Sequence, residues 1–481
     1  MSGVTAAGDE LLWAPMAWIG GGWRESVLFE VAADGTWAAV LPDTAAPPAA
    51  TRLPGPVLPS LVDAHSHAFQ RAFAGMTERR PESDGVAQDD FWSWRDRMYQ
   101  VALRITPAQL RAIATMLYGE LLAGGYTQVC EFHYLHHAPD GRPYPDPAAM
   151  SQALIDAAGD AGIGLTLLPV LYERAGFRQP QLRADQRRFR STVAEVLDLQ
   201  RVARASGAPR VKAGVAIHSL RAARPESIGA LAKALGPLDS ALDGPIHIHV
   251  AEQVAEVEEC LATTGMRPIE WLTRHAPLDA RWQLVHATHS TPAEIEAVAA
   301  GGAGVVLCPG TEANLGDGLA DLPGWLAAGV PLTLGSDSQV TRAWPEELRW
   351  LEYGQRLARR QRNVAAAPGP GNEPAVAARL FERVCRGGAA AAGFAAWGLV
   401  RGAPADALVL DAQAPGLLGV PASHRLDALV FAGAERPFAE VWVAGRRVLG
   451  GLGAGRPSAA AAGAFEQAMG ELWASRSLPI P

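Results

Sequence analysis

Lysine is almost missing from this chain of 481 residues. Of the 42 lysines and arginines together, only Lys212 and Lys233 are lysines. We attribute the skew to codon usage, because the whole sequence is rich in alanine, arginine and glycine. The shortage still limits the chemistry, since any mechanism that needs a lysine has only these two candidates.

Cysteine is also scarce. The four cysteines are widely spaced and form no CxxC pair; they are Cys130, Cys260, Cys308 and Cys385. So few cysteines in so long a chain exclude a disulfide scaffold and predict an intracellular protein. We therefore expect a cytoplasmic location.

Long apolar runs and a surplus of basic residues are missing as well. The best candidate for a membrane span, residues 387–400, is short and mostly alanine and glycine, whereas a span needs about 20 strongly apolar residues. The formal net charge of −8 argues against a nucleic-acid interface, which needs a basic face. We expect neither a membrane nor a nucleic acid as a partner. Hydrophobic residues make up 49% of the chain, which is enough for a large core.

The middle of the chain alternates helix and strand signals. Thr106-Pro107 predicts a helix start, with a threonine cap and a proline in the first turn, and residues 126–132 predict the strand that follows. The same order recurs after Thr291-Pro292 and after Leu322-Pro323. Such units, repeated over about 330 residues, favour a parallel α/β fold, and a (β/α)₈ barrel fits the length. Periodicity alone leaves a closed barrel and an open sheet as alternatives.

Both ends of the chain are predicted to be rich in strands. The strand-like segments are residues 11–19, 26–31, 407–410, 428–431 and 440–443. We therefore predict a small, β-sandwich-like domain built from residues 1–59 and 400–481. Residues 60–399 are predicted to form the barrel.

Histidines and carboxylates stand where four predicted strands end. The segments are His65-Ser66-His67, His247-Ile248-His249 with Glu252 after it, Leu284-Val285-His286 and Gly335-Ser336-Asp337. Residues two apart on a strand project to the same side, so two imidazoles there can hold one metal ion. The carboxyl ends of barrel strands form the face that carries active sites. Any one of these residues could be an ordinary polar group, but four such strand ends together indicate a metal-dependent site in which other groups move protons.

This ordered set resembles the amidohydrolase superfamily, and the resemblance covers nearly the whole chain. It implies a (β/α)₈ barrel with a flanking β domain and four metal ligands, which are His65, His67, His249 and Asp337. His286 matches the histidine that contacts the substrate or the water at the metal. Glu252 matches the acid/base of the HxAE motif in the deaminase branch, and Asp337 would serve as a proton acceptor as well as a ligand.

The shortage of lysine bears on the number of metal ions. Binuclear members of the superfamily bridge two metals with a carboxylated lysine at the end of the fourth strand. Lys212 lies well before the apparent strand end at His218, about 20 Å away at roughly 3.3 Å per residue. Lys233 lies in a predicted helix. We therefore predict one divalent metal ion, with Zn²⁺ as the default, although Fe²⁺ and Mn²⁺ accept similar ligands.

Within the superfamily, several blocks resemble the formimidoylglutamate deiminases of histidine degradation. They are residues 63–71, 90–95, 131–134 and 218–221. The resemblance implies hydrolysis of N-formimidoyl-L-glutamate to N-formyl-L-glutamate and ammonia, and it implies a homodimer. It assigns the pocket for this small dicarboxylate to Gln70, Arg95, Tyr134, His218 and Arg221. Guanidinium groups suit carboxylates, but the long loop predicted around Arg95 could also reach a neighbouring subunit.

Three other functions stay open from the sequence. A deaminase of another small substrate, such as a guanine-like or triazine-like ring, would share the metal ligands without needing paired arginines. An imidazolone-ring hydrolase of the same superfamily is a second alternative. A barrel that only binds a small acidic ligand is a remote third, because the ligand set and Glu252 are both intact.

Overall fold

The computed structural model describes residues 10–79, 89–208, 210–237, 244–369, 373–433, 437–450 and 457–474. The strands are β1 (Glu10–Ile19), β2 (Gly22–Val31), β3 (Trp37–Leu41), β4 (Thr51–Arg52), β5 (Val57–Pro59), β6 (Leu61–Ser66), β7 (Tyr126–His133), β8 (Gly164–Leu171), β9 (Val211–Ala213), β10 (Val215–Ser219), β11 (Ile246–Val250), β12 (Trp282–His286), β13 (Gly304–Leu307), β14 (Leu332–Leu334), β15 (Ala407–Leu410), β16 (Phe438–Val443) and β17 (Arg446–Gly450).

Helices alternate with the central strands. They are α1 (Phe91–Ala102), α2 (Pro107–Ala123), α3 (Ala149–Ala161), α4 (Val193–Ala205), α5 (Pro225–Leu235), α6 (Val254–Thr264), α7 (Pro268–His275), α8 (Pro292–Gly301), α9 (Pro309–Leu315), α10 (Leu322–Ala327), α11 (Trp344–Arg359), α12 (Val376–Ala391), α13 (Arg425–Phe431) and α14 (Ala459–Ala474). Short 3₁₀ helices cover Ala68–Ala72, Ala184–Phe189 and Ala422–His424.

The central strands form a closed parallel barrel. Strands β6 to β14 make one sheet, in which β14 pairs with β6 and β8 pairs with β10 as well as β9. β9 and β10 share one position around the ring, which therefore has eight. Gly214 separates them at a point where an added Cβ would lie 2.3 Å from the carbonyl oxygen of Pro245. This ring, together with the sheet from the chain ends, confirms the predicted fold class.

Local sequence signals explain where the barrel elements begin and why they stay in the core. Thr106 caps α2 and Thr291 caps α8, each in a capping box with the residue three positions on and a proline in the first turn. β7 and β8 are buried along their full length, as expected for parallel strands covered by helices. The strands are thus fixed by the core, and their carboxyl ends are free to carry polar groups.

The chain ends form a second sheet. Its order is β17-β16-β15-β5-β1-β2-β3, with β4 paired to β1. One predicted strand is wrong: residues 428–431 belong to the helix α13, because Leu426, Leu429 and Val430 place three apolar side chains on one helical face. A run of only four apolar residues does not distinguish a helix from a strand.

Helix α14 lies against the barrel. Trp473 donates from its indole to the carbonyl oxygen of Ala72 at 3.1 Å, and Gln109 of α2 donates to Glu471 at 2.8 Å. The domain boundaries at residues 59 and 400 stay a prediction. Within the described residues, none of the helices has the length and apolar character needed to cross a bilayer.

Candidate active site

A cavity opens at the carboxyl ends of the barrel strands. Most of the predicted site residues line it: His67, Gln70, Arg95, Tyr134, His218, Arg221, His249, Glu252, His286 and Asp337. The remaining one, His65, is fully buried directly behind this wall. Residues from β6, β7, β10, β11 and β12, and from the turn after β14, therefore meet at the face that the strand ends predicted.

Three imidazoles and one carboxylate converge at the floor of the cavity. The Nε2 atoms of His65 and His249 lie 3.0 Å apart, and Nε2 of His67 lies 3.4 Å from Oδ1 of Asp337. One ring nitrogen from each of the three histidines lies within 4.8 Å of those from the other two. Burial lowers the pKa of His65 to about 4 and that of His67 to about 3, so both rings are neutral and carry a free lone pair.

These residues fit a divalent metal ion. The Nε2 atoms of His65 and His249 face each other at 3.0 Å, so when both carry lone pairs they need a cation between them. A metal ion at this place would accept both lone pairs. Burial acts to raise the pKa of Asp337, but the contacts with His65, His286 and His67 outweigh it and lower the pKa, so the group is a carboxylate. Neutral imidazoles and a carboxylate are the donors that Zn²⁺ and related ions use.

An acid/base group lies beside the donor set. Nε2 of His286 is 3.7 Å from Oε1 of Glu252 and 3.8 Å from Oδ2 of Asp337. Burial raises the pKa of Glu252 above its ordinary value, while the opposing charge of His286 lowers it. Burial lowers the pKa of His286, but Glu252 and the neighbouring carboxylates raise it to about 10. The three side chains can therefore hold or release protons at one place.

The backbone is strained at this face. His286, Ala287 and Asp337 have φ angles of 68°, 48° and 49°, and Ala251 has 52°. These values lie in the left-handed region that non-glycine residues seldom adopt, at a cost of about 1–3 kcal/mol each. Such strain turns the side chains at the strand ends into the cavity.

The other wall of the cavity carries the two predicted arginines. Arg95 lies on helix α1 and lines the cavity, and Asp90 caps this helix by accepting from the backbone of Trp92 and Ser93. Within the described part of the chain, Nε of Arg95 and Nη1 of Arg221 are buried without a hydrogen-bond partner. The ring of Trp92 contacts both guanidinium groups, with Cζ of Arg95 at 4.6 Å and Cζ of Arg221 at 5.2 Å from its centre.

The remaining predicted residues complete this wall. Nε2 of Gln70 donates to the hydroxyl of Tyr134 at 3.2 Å, which leaves the buried Oε1 of Gln70 without a partner among the described residues. The rings of Tyr134 and His218 lie 5.7 Å apart, edge to face. The wall thus offers cationic donors from Arg95 and Arg221 and one free amide acceptor.

Sequence reasoning missed several residues of the site. Phe91, Trp94, Met98 and Tyr99 of α1 line the cavity, and the capping signal of α1 could have revealed that helix. Glu312, after β13, accepts from the backbone of Cys308 at 2.9 Å and lies 3.4 Å from Nδ1 of His286. A carboxylate that follows a barrel strand, as Glu312 follows β13, is the sequence signal that could have revealed this residue.

Neither lysine is near the donor set. Lys212 lies on β9, and its Nζ donates to the carbonyl oxygen of Gly393 at 2.9 Å and sits over the ring of Phe394. Lys233 lies in the last turn of α5. The structure therefore offers no lysine to bridge two metal ions at this site, within the residues it describes.

Comparison with known proteins identifies the family. A model of the amidohydrolase family matches residues 57–448. The chain belongs to this family. An amidohydrolase is a metal-dependent hydrolase that acts on carbon–nitrogen bonds, so this chain is an enzyme of that kind.

Individual relatives agree with this assignment. The chain is 45% identical to a formimidoylglutamate deiminase of Pseudomonas aeruginosa, over 96% of this chain and 99% of that protein. The crystal structure of an amidohydrolase from Brucella melitensis is 40% identical, with a TM-score of 0.88 over 96% of this chain and 99% of that one. An adenosine deaminase from Xanthomonas campestris, solved with bound zinc, shares the fold with a TM-score of 0.77 at 22% identity, over 97% of this chain and 98% of that one. The predicted resemblance is confirmed.

Proposed function

We propose that this amidohydrolase converts N-formimidoyl-L-glutamate and water to N-formyl-L-glutamate and ammonia, as a step of histidine degradation. The observation that carries the proposal is the pair of arginines that line the same cavity as Glu252, His286 and Asp337, each with one buried nitrogen that has no hydrogen-bond partner among the described residues. Arg95 also pairs through Nη2 with the exposed Asp96 at 3.4 Å. Buried cationic donors without partners require an anionic ligand. The 45% identity to a formimidoylglutamate deiminase supports this choice of substrate.

One Zn²⁺ ion is proposed as the cofactor, held by His65, His67, His249 and Asp337. When bound, the metal supplies a Lewis acid that makes hydroxide available from water near neutral pH. A single ion is favoured because Lys212 and Lys233 both lie in other parts of the structure. Metal analysis of gently purified protein is expected to give about one metal ion per chain. A metal-free preparation that still turns over substrate would contradict this part of the proposal.

The catalytic side chains move two protons. Asp337, with His286 beside it, accepts the proton of the water that attacks the formimidoyl carbon. Glu252 relays the second proton of that water, from the hydroxyl of the tetrahedral adduct, to the nitrogen of the amidinium group, so the C–N bond breaks, ammonia leaves and the formyl C=O bond forms, and Asp337 releases its proton to solvent. The distances of 3.7 and 3.8 Å from Nε2 of His286 to Glu252 and Asp337 support a shared role of these groups in moving protons.

The substrate is proposed to bind by its two carboxylates. Arg221 and Arg95 take one carboxylate each, because their free N–H atoms face the same cavity and planar guanidinium groups pair well with carboxylates. The free Oε1 of Gln70 accepts a hydrogen bond from the substrate nitrogen, and Tyr134 and His218 close the pocket. This arrangement leaves the formimidoyl group at the floor, beside Glu252.

An assay of ammonia release separates this proposal from a ring deaminase. Purified protein with its metal is supplied with N-formimidoyl-L-glutamate, guanine and cytosine in parallel, and the products are identified by mass spectrometry. We expect ammonia and N-formylglutamate from the first substrate only. Faster release from a ring amine, or no release from any substrate, would overturn the proposal.

Two further properties are proposed for the whole protein. The resemblance to the deiminases suggests a homodimer, which light scattering of the purified protein tests. The paucity of cysteine suggests a cytoplasmic location.

A further inference from the structure

A third carboxyl group lies behind the acid/base pair. Asp317, just after α9, is buried with 5% of its surface exposed. One of its carboxyl oxygens, one of Glu252 and a ring nitrogen of His286 all lie within 4.8 Å of one another. Asp317 is absent from the cavity lining, so it approaches Glu252 from the protein side.

The hydrogen bonds of Asp317 leave one of its oxygens free. Its backbone N–H donates to the carbonyl oxygen of Glu312 at 2.9 Å, which fixes the residue in its turn. The side-chain amide of Gln253, the neighbour of Glu252, donates to Oδ1. Oδ2 is buried and has no hydrogen-bond partner within the described residues.

The surrounding charges decide which carboxyl group carries a proton. The titratable groups around Asp317 are Glu252, His286 and Glu312, and His289 lies against its backbone. Two buried carboxylates this close do not both stay charged, and within the described residues the oxygen without a partner is Oδ2 of Asp317, whereas Glu252 lines the cavity and faces Nε2 of His286 at 3.7 Å. Burial raises the pKa of Asp317, and the charge of Glu252 raises it further. Asp317 is therefore the neutral member of the pair, and a neutral carboxyl group needs an acceptor for its O–H.

We propose that Asp317 is a positioning residue whose carboxyl group, held by Gln253, donates a hydrogen bond from Oδ2 to Glu252. A small side-chain rotation, or one bridging water, spans the gap between the two groups. The bond fixes the orientation of the Glu252 carboxylate, which relays a proton to the departing nitrogen. The effect on turnover rests on the proposed function, whereas the protonation of Asp317 does not.

Two substitutions test the effect on turnover. Asp317→Ala removes the donor, and we expect kcat to fall about 10- to 100-fold with little change in KM, together with a shifted acid limb of the pH profile. Asp317→Asn keeps an N–H donor toward Glu252 and an acceptor for Gln253, so it is expected to stay within about threefold of the wild type. The exposed Asp140→Ala serves as the matched control. A wild-type kcat in the alanine variant, or an asparagine variant as impaired as the alanine variant, would overturn the proposal.

Infrared spectroscopy tests the same proposal without any substrate. The difference spectrum between wild type and Asp317→Asn is expected to show the C=O stretch of one protonated carboxyl group in the wild type. Loss of a carboxylate band instead would show that Asp317 is charged and would overturn the proposal. If the wild type fails to hydrolyse formimidoylglutamate, the proposed function fails, and this spectrum still decides the role of Asp317.

Discussion

Glu252 is the residue on which the chemistry depends most. Glu252→Gln keeps the shape of the side chain but removes the carboxylate that relays a proton to the departing nitrogen. We expect kcat to fall about 10²- to 10⁴-fold, the usual contribution of a general acid or base. Steady-state kinetics and metal analysis check this, and the metal content is expected to stay unchanged because Glu252 is not a proposed ligand.

The control for this substitution is Glu258→Gln, on the exposed face of α6. It is expected to match the wild type in both measurements. A near-normal kcat in the Glu252 variant would rule out the assigned role. A loss of metal together with activity would show instead that Glu252 belongs to the ligand set.

Arg221 tests the recognition of the substrate. Arg221→Met keeps much of the apolar stem and removes the charged donor, which is 7% exposed in the cavity wall. We expect kcat/KM for formimidoylglutamate to fall about 10- to 100-fold, in line with roughly 1.5–3 kcal/mol for a hydrogen bond to a charged group. Arg142→Met, at an exposed site, is the control. An unchanged kcat/KM would exclude Arg221 as a carboxylate ligand.

At the scale of single residues, the sequence predicted the groups at strand ends and missed those that support them. The HxH pair His65 and His67, and the HxAE block ending at Glu252, were visible because their spacing is local. Glu312 and Asp317 act through contacts with His286 and Glu252 that only the closed barrel creates. No spacing in the sequence encodes those contacts.

At the scale of elements, helix α1 decides the shape of the substrate pocket. It places Arg95 and four apolar or aromatic side chains on the cavity wall, and its Trp92 contacts both guanidinium groups. The sequence predicted a long loop around Arg95. The structure has a helix there instead, because Asp90 caps its first turn and Phe91 is buried.

Trp92 is expected to align the two arginines. A cation over an aromatic face contributes about 0.5–2 kcal/mol, so Trp92→Leu should raise KM about 3- to 30-fold and leave kcat unchanged. Trp92→Phe keeps a ring and is expected to show a smaller rise. The control is Trp350→Leu on α11, where the side chain is 44% exposed. A fall in kcat at unchanged KM would contradict a role in binding.

The strand assignments show why short segments are the weakest part of a sequence-based prediction. Thr106-Pro107 and Thr291-Pro292 predicted the starts of α2 and α8 because a cap and a proline act locally. Residues 428–431 were assigned to a strand and form the end of α13. The neighbours that bury Leu426 and Leu429 come from distant parts of the chain, so no local pattern could reveal them.

At the scale of the whole molecule, one buried ion pair ties the barrel to the terminal sheet. Arg210, at the start of β9, pairs with Asp406, which precedes β15 and accepts from the backbone of Ala444 at 2.8 Å. The Asp406 side chain is 2% exposed. Breaking such a pair leaves a charge without a partner, at a cost of about 3–5 kcal/mol.

Asp406→Ala is therefore expected to lower the free energy of unfolding by about 3–5 kcal/mol. The folded enzyme is expected to keep its kcat. Urea denaturation and steady-state kinetics on the same preparation measure both. Asp160→Ala breaks the exposed pair with Arg111 and is expected to cost less than about 1 kcal/mol. If the two substitutions lower the free energy of unfolding equally, the ion pair of Asp406 with Arg210 does not stabilise the contact between the barrel and the terminal sheet.

The central claim is that one cavity binds a dicarboxylate by Arg95 and Arg221 and presents its amidine to Glu252. A crystal structure of the metal-loaded enzyme with the product N-formyl-L-glutamate tests it most directly. We expect one carboxylate of the product on Arg95 and the other on Arg221 of the same chain, with the formyl group beside Glu252 and His286. A product whose carboxylates avoid both arginines, or whose formyl group points away from Glu252, would contradict it.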